Sequence, residues 1–317
     1  MKCNACKTNF EVSKEESRLL RRLGVPDPTL CRSCRVKERL AFRPYGNFYR
    51  RKCDLTGEAI ISTFSPATTF PVYKRTAWYG DGWKPGEMEF DASKSFIEQF
   101  KTLQDKTPHF HLLGDEKSVN CDYCDDTWEC KDCYFSRSMA KCEGLFYSYR
   151  NLNCKNCFEI TFSFDSSESF HLINCLNCYH VVYAVNSRNC LDSSFLYDCR
   201  NCTNCFMCWN LRGKEYCIQN QKYSKEEYTQ KIAALQTSSR RGTDSLLAEW
   251  WAHLQNDVAH RQDCNVQVEN STGNFLEKCK DCEDGAFVSE VDHAVNVFRG
   301  VSIKDSVDTL GEYRGEL

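Results

Sequence analysis

Fifteen cysteines between Cys121 and Cys217 fall in one reading frame of three. Chance would arrange them so in roughly one chain in five million, so the frame is architecture. It continues where cysteine is absent, through Ser136, Met139, Leu145, Ile160, Ser163, Val181, Ala184 and Leu196. These residues are small or apolar, and of the frame only Asn151 and Lys214 are expected to resist burial. Cysteine here therefore reads first as a small core residue and only second as a ligand.

A period of 21 lies over the triplet. It aligns Cys133, Cys154, Cys175, Leu196 and Cys217, and beside them Asn156, Asn177, Asp198 and Gln219. Like residues at a fixed period mark stacked coils. The expected fold is mainly β: an N-terminal zinc ribbon, then a parallel β-helix or solenoid of four to five coils of about 21 residues each, interrupted by a helical segment. Flat strands alternate with period two, not three. Polyproline-like rods need abundant glycine, and residues 121–217 hold only Gly144 and Gly213. Short, frequently bent strands are therefore expected, with amide ladders running from coil to coil.

The chain has 317 residues, 23 cysteines and a formal charge of −3. No apolar run suits a membrane span or an export signal. With an odd cysteine count this predicts reduced thiols in a cytoplasmic setting and no membrane association.

The head of the chain carries different chemistry. Cys3-x2-Cys6 and Cys31-x2-Cys34 are two knuckles separated by 24 residues. That is the spacing of a four-thiolate structural zinc site, since zinc accepts tetrahedral sulfur. Between them, Ser13 to Leu23 reads as a helix capped by Ser13, with Glu16 at the capping-box position. Pro26 and Pro28 stop it.

Lys2-Cys3-Asn4-Ala5-Cys6, Phe10-Glu11-Val12 and Pro28-Thr29-Leu30-Cys31-Arg32-Ser33-Cys34-Arg35 resemble the domain family catalogued as "probable zinc-ribbon", found at the N-terminus of bacterial cysteine-rich repeat proteins. The resemblance implies one zinc on Cys3, Cys6, Cys31 and Cys34 and carries no biochemical activity with it.

Residues 1–53 hold 14 Lys and Arg against 5 Asp and Glu. Arg32, Arg35, Lys37, Arg39, Arg43, Arg50, Arg51 and Lys52 are interleaved with Phe42, Tyr45, Phe48 and Tyr49. Cations neutralise phosphates and aromatic rings stack on unpaired bases, so this segment is a candidate surface for RNA, DNA or a ribosome. The alternative is a solvated helix face with its aromatics turned inward.

The expected segments are 1–52, ribbon with basic extension; 53–114, a small aromatic module; 115–222, the solenoid; 223–263, a helical insert; and 264–317, a second, incomplete solenoid. In the second segment Lys52-Cys53-Asp54-Leu55-Thr56-Gly57 resembles a segment of longer bacterial zinc-ribbon proteins. The resemblance implies a later Cys-x2-Cys near Val72-Tyr73, where Lys74 and Ala77 stand instead, so Cys53 is expected to be a degenerate knuckle without zinc. Trp78, Tyr79, Trp83, Phe90, Phe96 and Phe100 are expected to form its core, with a helix over Ser93–Leu103 packed through residues 96, 100 and 103. Ser224 is expected to cap the insert, ahead of Glu226-Glu227. In the last segment Cys279, Cys282, Gly285, Val288, Val291, Ala294, Val297, Gly300 and Ile303 step again by three, preceded by Gly273 and Leu276. With no capping helix after it, this run is expected to continue in a longer protein or to borrow coils from another chain.

Cys199, Cys202, Cys205 and Cys208 resemble a ferredoxin-like run, and stacked cysteines also offer disulfides between coils. Yet equivalent frame positions hold Ile, Val, Ala and Ser, which a ligand position does not tolerate. His109 and His111 are expected at the surface, and His171 and His180 on the outside of the solenoid. Asp165, Glu168 and Asp192 are candidates to line a groove. The leading reading is a non-enzymatic zinc-binding scaffold, its basic ribbon on nucleic acid or a ribosome and its solenoid on a protein partner or a second copy. A β-helical carbohydrate-processing enzyme and a metal or redox protein using the body thiols are the alternatives.

Overall fold

In the solenoid every third residue adopts a left-handed backbone, from Asn120 (φ 53°), Tyr123 (52°) and Asp126 (58°) through to Asn210 (55°) and Gln219 (47°). Gly144 (65°) and Gly213 (60°) occupy two of these positions. Each triplet is thus a left-handed residue followed by two extended ones, inward and then outward. The left-handed residue bends the chain, which is how a period of three coexists with strands. Asparagine tolerates this conformation best among residues with a side chain, which accounts for Asn153, Asn156, Asn174, Asn177, Asn186, Asn189, Asn201 and Asn204. This computed structural model describes all residues except 42–46, 236–238, 262–270, 272–276, 281 and 312–317.

Four triplets close one coil. Strand pairing is parallel and joins residues twelve apart: Arg137 with Tyr149, Leu191 with Thr203, Cys205 with Cys217. The solenoid is confirmed, with about eight turns, but the 21-residue coil is corrected to twelve. Both lengths are multiples of three, and a frame filled from a few small residue types aligns like with like at either offset. The true column runs Cys130, Cys142, Cys154, Ser166, Cys178, Cys190 and Cys202. The amide ladder runs Asn177 to Asn189 (3.1 Å) to Asn201 (2.9 Å).

Two backbone ladders bind the coils. The outward residue donates its N–H to the inward carbonyl of the next coil, as Lys131 does to Cys142 (2.9 Å) and Phe164 to Cys175 (3.0 Å). The left-handed residue donates to an outward carbonyl of the previous coil, as Lys141 does to Trp128 and Asn189 to Leu176 (both 2.8 Å). Where the residue twelve positions earlier carries an acceptor, the inward residue's own N–H takes it. Ser148 donates to Ser136 Oγ (3.0 Å), Val181 to Ser169 Oγ (3.1 Å) and Cys205 to Ser193 Oγ (3.0 Å). Where cysteine stands, its sulfur faces the same amide: the Cys154 N–H acts on Cys142 and that of Cys202 on Cys190.

The same side chains also donate, Ser136 to the Tyr134 carbonyl (2.9 Å) and Cys142 to that of Ala140 (3.3 Å). A buried N–H without a partner costs about 1–3 kcal/mol, so a residue that accepts once, donates once and fits a narrow interior is favoured. Serine and cysteine both qualify. Asn151, expected to resist burial, is 2% exposed: its Nδ2 donates to the Ile160 carbonyl (3.2 Å) and its Oδ1 accepts the Ser163 N–H (3.1 Å). Lys214 does stay exposed.

The solenoid strands run from β5 (Val119–Asp122) to β16 (Glu215–Ile218), preceded by β1 (Tyr49–Lys52), β2 (Ala59–Ser62), β3 (Val72–Tyr73) and β4 (His109–Phe110). The first coil is closed by Asp125, which accepts the Leu113 N–H (2.8 Å) and pairs with Arg137 (2.6 Å). At the far end β17 (Gln221–Lys222) folds back antiparallel on β16, protecting the open edge. Helices in chain order are α1 (Lys14–Arg22), α2 (Arg32–Ala41), α3 (Arg75–Trp78), α4 (Phe96–Lys106), α5 (Lys225–Ala233) and α6 (Arg240–Asn256). Ser224 caps α5 in a full capping box with Glu227, and α6 buries Trp250 and Leu254 against the last coils. Among the described residues, no helix is long and apolar enough to cross a membrane.

The chain divides into two compact units, Gly46–Ala259 and Met1–Tyr45 with His260–Leu317. In the first, Cys53, Ile60 and Val72 form a small core beside Phe64, Phe70, Tyr73 and Ala77. Trp78 and Trp83 cluster nearby as expected, with Tyr79 against Trp78 but exposed. Phe90, Phe96 and Phe100 do not join them; they are exposed. α4 begins at Phe96 and turns Gln99 inward instead, where its amide bonds the Asp91 backbone on both sides (2.8 and 2.9 Å). His109 and His111 are also corrected from surface to part-buried, and burial lowers both, His111 to about 4. In the other unit, Cys279, Cys282, Val288, Val291, Ala294, Val297 and Ile303 form a core, and Asn296 donates to Asp284 twelve residues away (2.9 Å). Gly273 and Leu276 lie outside the described residues.

Cys142→Ser keeps an acceptor for the Cys154 N–H, whereas Cys142→Ala, of nearly the same size as serine, removes it. The alanine variant should be less stable than the serine variant by about 1–3 kcal/mol in urea titration. Equal stability would mean that the thiol fills space only.

Candidate metal centre

Two short loops and one helix start bring four sulfurs together. In the first knuckle the Cys3 N–H donates to Thr8 (2.9 Å), the Lys7 N–H to Cys3 (3.0 Å), and Lys7 is left-handed (φ 62°). In the second, Cys31 immediately precedes α2 and Cys34 lies in its first turn. The ligand atoms of Cys3, Cys6, Cys31 and Cys34 all lie within 4.8 Å of one another. Cys3 is fully buried, Cys34 buried at 9% exposure, Cys31 half-buried and Cys6 exposed. Four soft donors converging from knuckles form a group that can hold a metal ion.

The electrostatics favour a cation. The Cys31 N–H donates to Cys3 Sγ (3.3 Å) and holds that thiol down to about 6. The Thr8 hydroxyl, 2.8 Å from Cys6 Sγ, lowers Cys6 as well. The Cys31 sulfur, and then that of Cys6, pushes Cys34 up to about 12. The four sulfurs cannot all ionise against one another, and a divalent ion removes that conflict.

The body cysteines are different. Among the described residues, only the N-terminal four meet as a metal-holding group, and Cys199, Cys202, Cys205 and Cys208 do not. Cys199 and Cys208 donate instead to the carbonyls of Cys208 (3.4 Å) and Cys217 (3.5 Å). Burial pushes the Cys124 and Cys157 thiols up to about 12, so they stay protonated. Cys53 accepts N–H groups from Thr56 (3.4 Å) and Lys74 (3.2 Å), a knuckle turn without its second pair.

A carboxylate supports the four-cysteine cluster, a role not evident from the sequence. Ser13 caps α1 by accepting the Glu16 N–H (3.0 Å). The Glu16 side chain, fully buried, pairs with Arg35 (2.7 Å) and Arg32 (3.1 Å). Both arginines reach on to the C-terminal coils of the same unit: Arg32 to Glu283 and to Asp284 (2.8 Å), Arg35 to Asp308 (2.6 Å). Arg39 bonds Asp308 (3.1 Å) and Asn296 (2.7 Å). The signal lay in complementarity between the basic head and Glu283, Asp284 and Asp308.

The remaining basic candidates are dispersed. Arg51 pairs with Asp54 (2.8 Å) and bonds Ser65 and Thr68 (both 3.0 Å). Lys37, Arg50 and Lys52 are exposed, and Arg43 lies outside the described residues. The acidic candidates join ladders, with Asp165 accepting from Asn153 (2.9 Å), Glu168 from Asn156 (2.6 Å) and Asp192 beside His180 (2.8 Å). No model of a known protein family matches the sequence, and no curated protein matches it either.

Metal affinity should depend on pH in one direction. Cys3 is a thiolate above about 6 and protonated below it, and a bound ion competes with those protons. Metal retention on dialysis should fall as pH drops through and below about 6 and hold at higher pH. Loss on raising the pH from 6 to 8 would contradict the thiolate assignment.

Proposed function

We propose that this protein is a non-enzymatic scaffold, locked at its head by one structural zinc ion on Cys3, Cys6, Cys31 and Cys34, with a solenoid whose outer columns receive a protein partner. The observation that carries this reading is the contrast between the two sets of thiols. One set converges on a point, while the other is turned inward and engaged with the backbone. Zinc suits the first because four thiolates at short knuckle spacing match its tetrahedral, redox-inert chemistry. The second offers no nucleophile at the surface. Glu16, Arg32 and Arg35 would tie the zinc-bearing ribbon to the C-terminal coils. On this reading a nucleic-acid contact rests on Lys37, Arg50 and Lys52, because Arg32, Arg35, Arg39 and Arg51 already have acidic or polar partners.

Elemental analysis of reduced protein should give about one zinc per chain. Cys3→Ser or Cys34→Ser should abolish it, while Cys199→Ser and Cys202→Ser leave it unchanged. Several metals per chain, iron with visible absorbance, or loss of metal from the Cys199 variant would overturn the reading.

A further inference from the structure

Left-handed positions favour asparagine, and a bulky ring there carries a backbone cost that needs a reason. One column of the solenoid breaks the asparagine pattern in coil after coil: Tyr123 (φ 52°), Phe135 (45°), Tyr147 (51°), Tyr183 (55°), Phe195 (57°) and Met207 (51°). In the C-terminal coils the reason is visible. Phe195 and Met207 are 3% and 1% exposed, packed with Trp250 and Leu254 of α6, and Phe195 meets Trp250 edge-on with centroids 6.0 Å apart.

In the N-terminal coils, among the described residues, no helix covers the same column; a single ring, Phe48, meets Tyr123 (6.3 Å) and Phe135 (5.8 Å) edge-on. Phe135 and Tyr147 are 48% and 50% exposed, and the adjoining outward column adds Tyr134, Phe146 and Phe158 at 37–40%. Their rings contact one another along the rod, Tyr134 with Tyr147 at 5.8 Å and Phe146 with Phe158 at 6.0 Å. Asp122 lies beside Tyr123 and Glu159 follows Tyr147 in the same two columns, while Phe158 leads on through Phe170 to Tyr183 (5.8 and 5.3 Å).

We propose that this exposed stretch is the docking site for an amphipathic helix of a partner protein, carrying an aromatic residue and leucine at i and i+4 with basic residues beside them. The occupant follows from continuity with the stretch that α6 covers. The same columns, with the same residue types, already hold a helix presenting Trp250 and Leu254 at that spacing. The carboxylates of Asp122 and Glu159 match a basic flank and repel a polyanion, which disfavours nucleic acid despite the rings. The proposal rests on the scaffold reading, yet the two fail separately, since that reading is tested by metal content and this one by helix binding.

The probe is a labelled peptide of residues 240–256, the sequence of α6, titrated with the full chain by fluorescence anisotropy. Phe135→Asn/Tyr147→Asn places at both left-handed positions the residue they favour, so the fold should keep or raise its melting temperature. Binding should weaken roughly tenfold or more, as expected on losing two aromatic anchors. Tyr134→Thr/Phe146→Thr, on extended positions that suit threonine, should weaken it likewise. Absence of binding to the parent chain, or binding to both double variants as tight as to the parent, overturns the proposal. So does a concentration-dependent dimer that the variants abolish, which would make a second copy the occupant, or single-stranded RNA binding that they abolish.

Discussion

The solenoid depends on one backbone N–H per triplet. A chain that bends at every third residue can pair two of its three amides with neighbouring coils, as Lys131 and Lys141 do. The third faces the interior. Where the inward residue one coil earlier is serine, its hydroxyl accepts that amide, as Ser136, Ser169 and Ser193 do, and Asn151 supplies an amide acceptor in the same place. Serine serves the interior in this way beside the apolar Met139, Leu145 and Ile160 that fill it. Left-handed geometry and inward side-chain acceptors are then two faces of one constraint.

Cysteine serves this chain in two physical states. In the rod it donates to a carbonyl, as Cys142 does to that of Ala140, and burial raises Cys124 and Cys157. In the ribbon the Cys31 N–H and the Thr8 hydroxyl lower Cys3 and Cys6, and four sulfurs crowd together. Spacing alone does not separate the two, since Cys-x2-Cys occurs in both. What separates them is whether the intervening residues form a turn that aims both sulfurs at one point or a bend that sends both into a stack.

Much of this was legible in the sequence. The inward frame, the short strands, the two ribbon knuckles and the caps at Ser13 and Ser224 follow from residue type and spacing. The coil length was not legible, because twelve and twenty-one are both multiples of three and the frame draws on few residue types. Helix α4 was misread because Phe96 and Phe100 look like a buried stripe, while Gln99 satisfies backbone groups from inside. The pairing of Arg32, Arg35 and Arg39 with residues more than 250 positions away is a tertiary event that local charge counting reads as a free basic surface.

Site-resolved native-state hydrogen exchange on the parent chain and on Ser169→Ala tests the central constraint most directly. Ser169 Oγ accepts the Val181 N–H at 3.1 Å. Removing that acceptor should speed exchange of the Val181 amide selectively, by roughly tenfold to a hundredfold for a bond whose loss costs about 1–3 kcal/mol. Ladder amides such as Phe164 and Asn189 should change far less. A Val181 amide that slows, or that moves only in step with the ladder amides, would contradict the account.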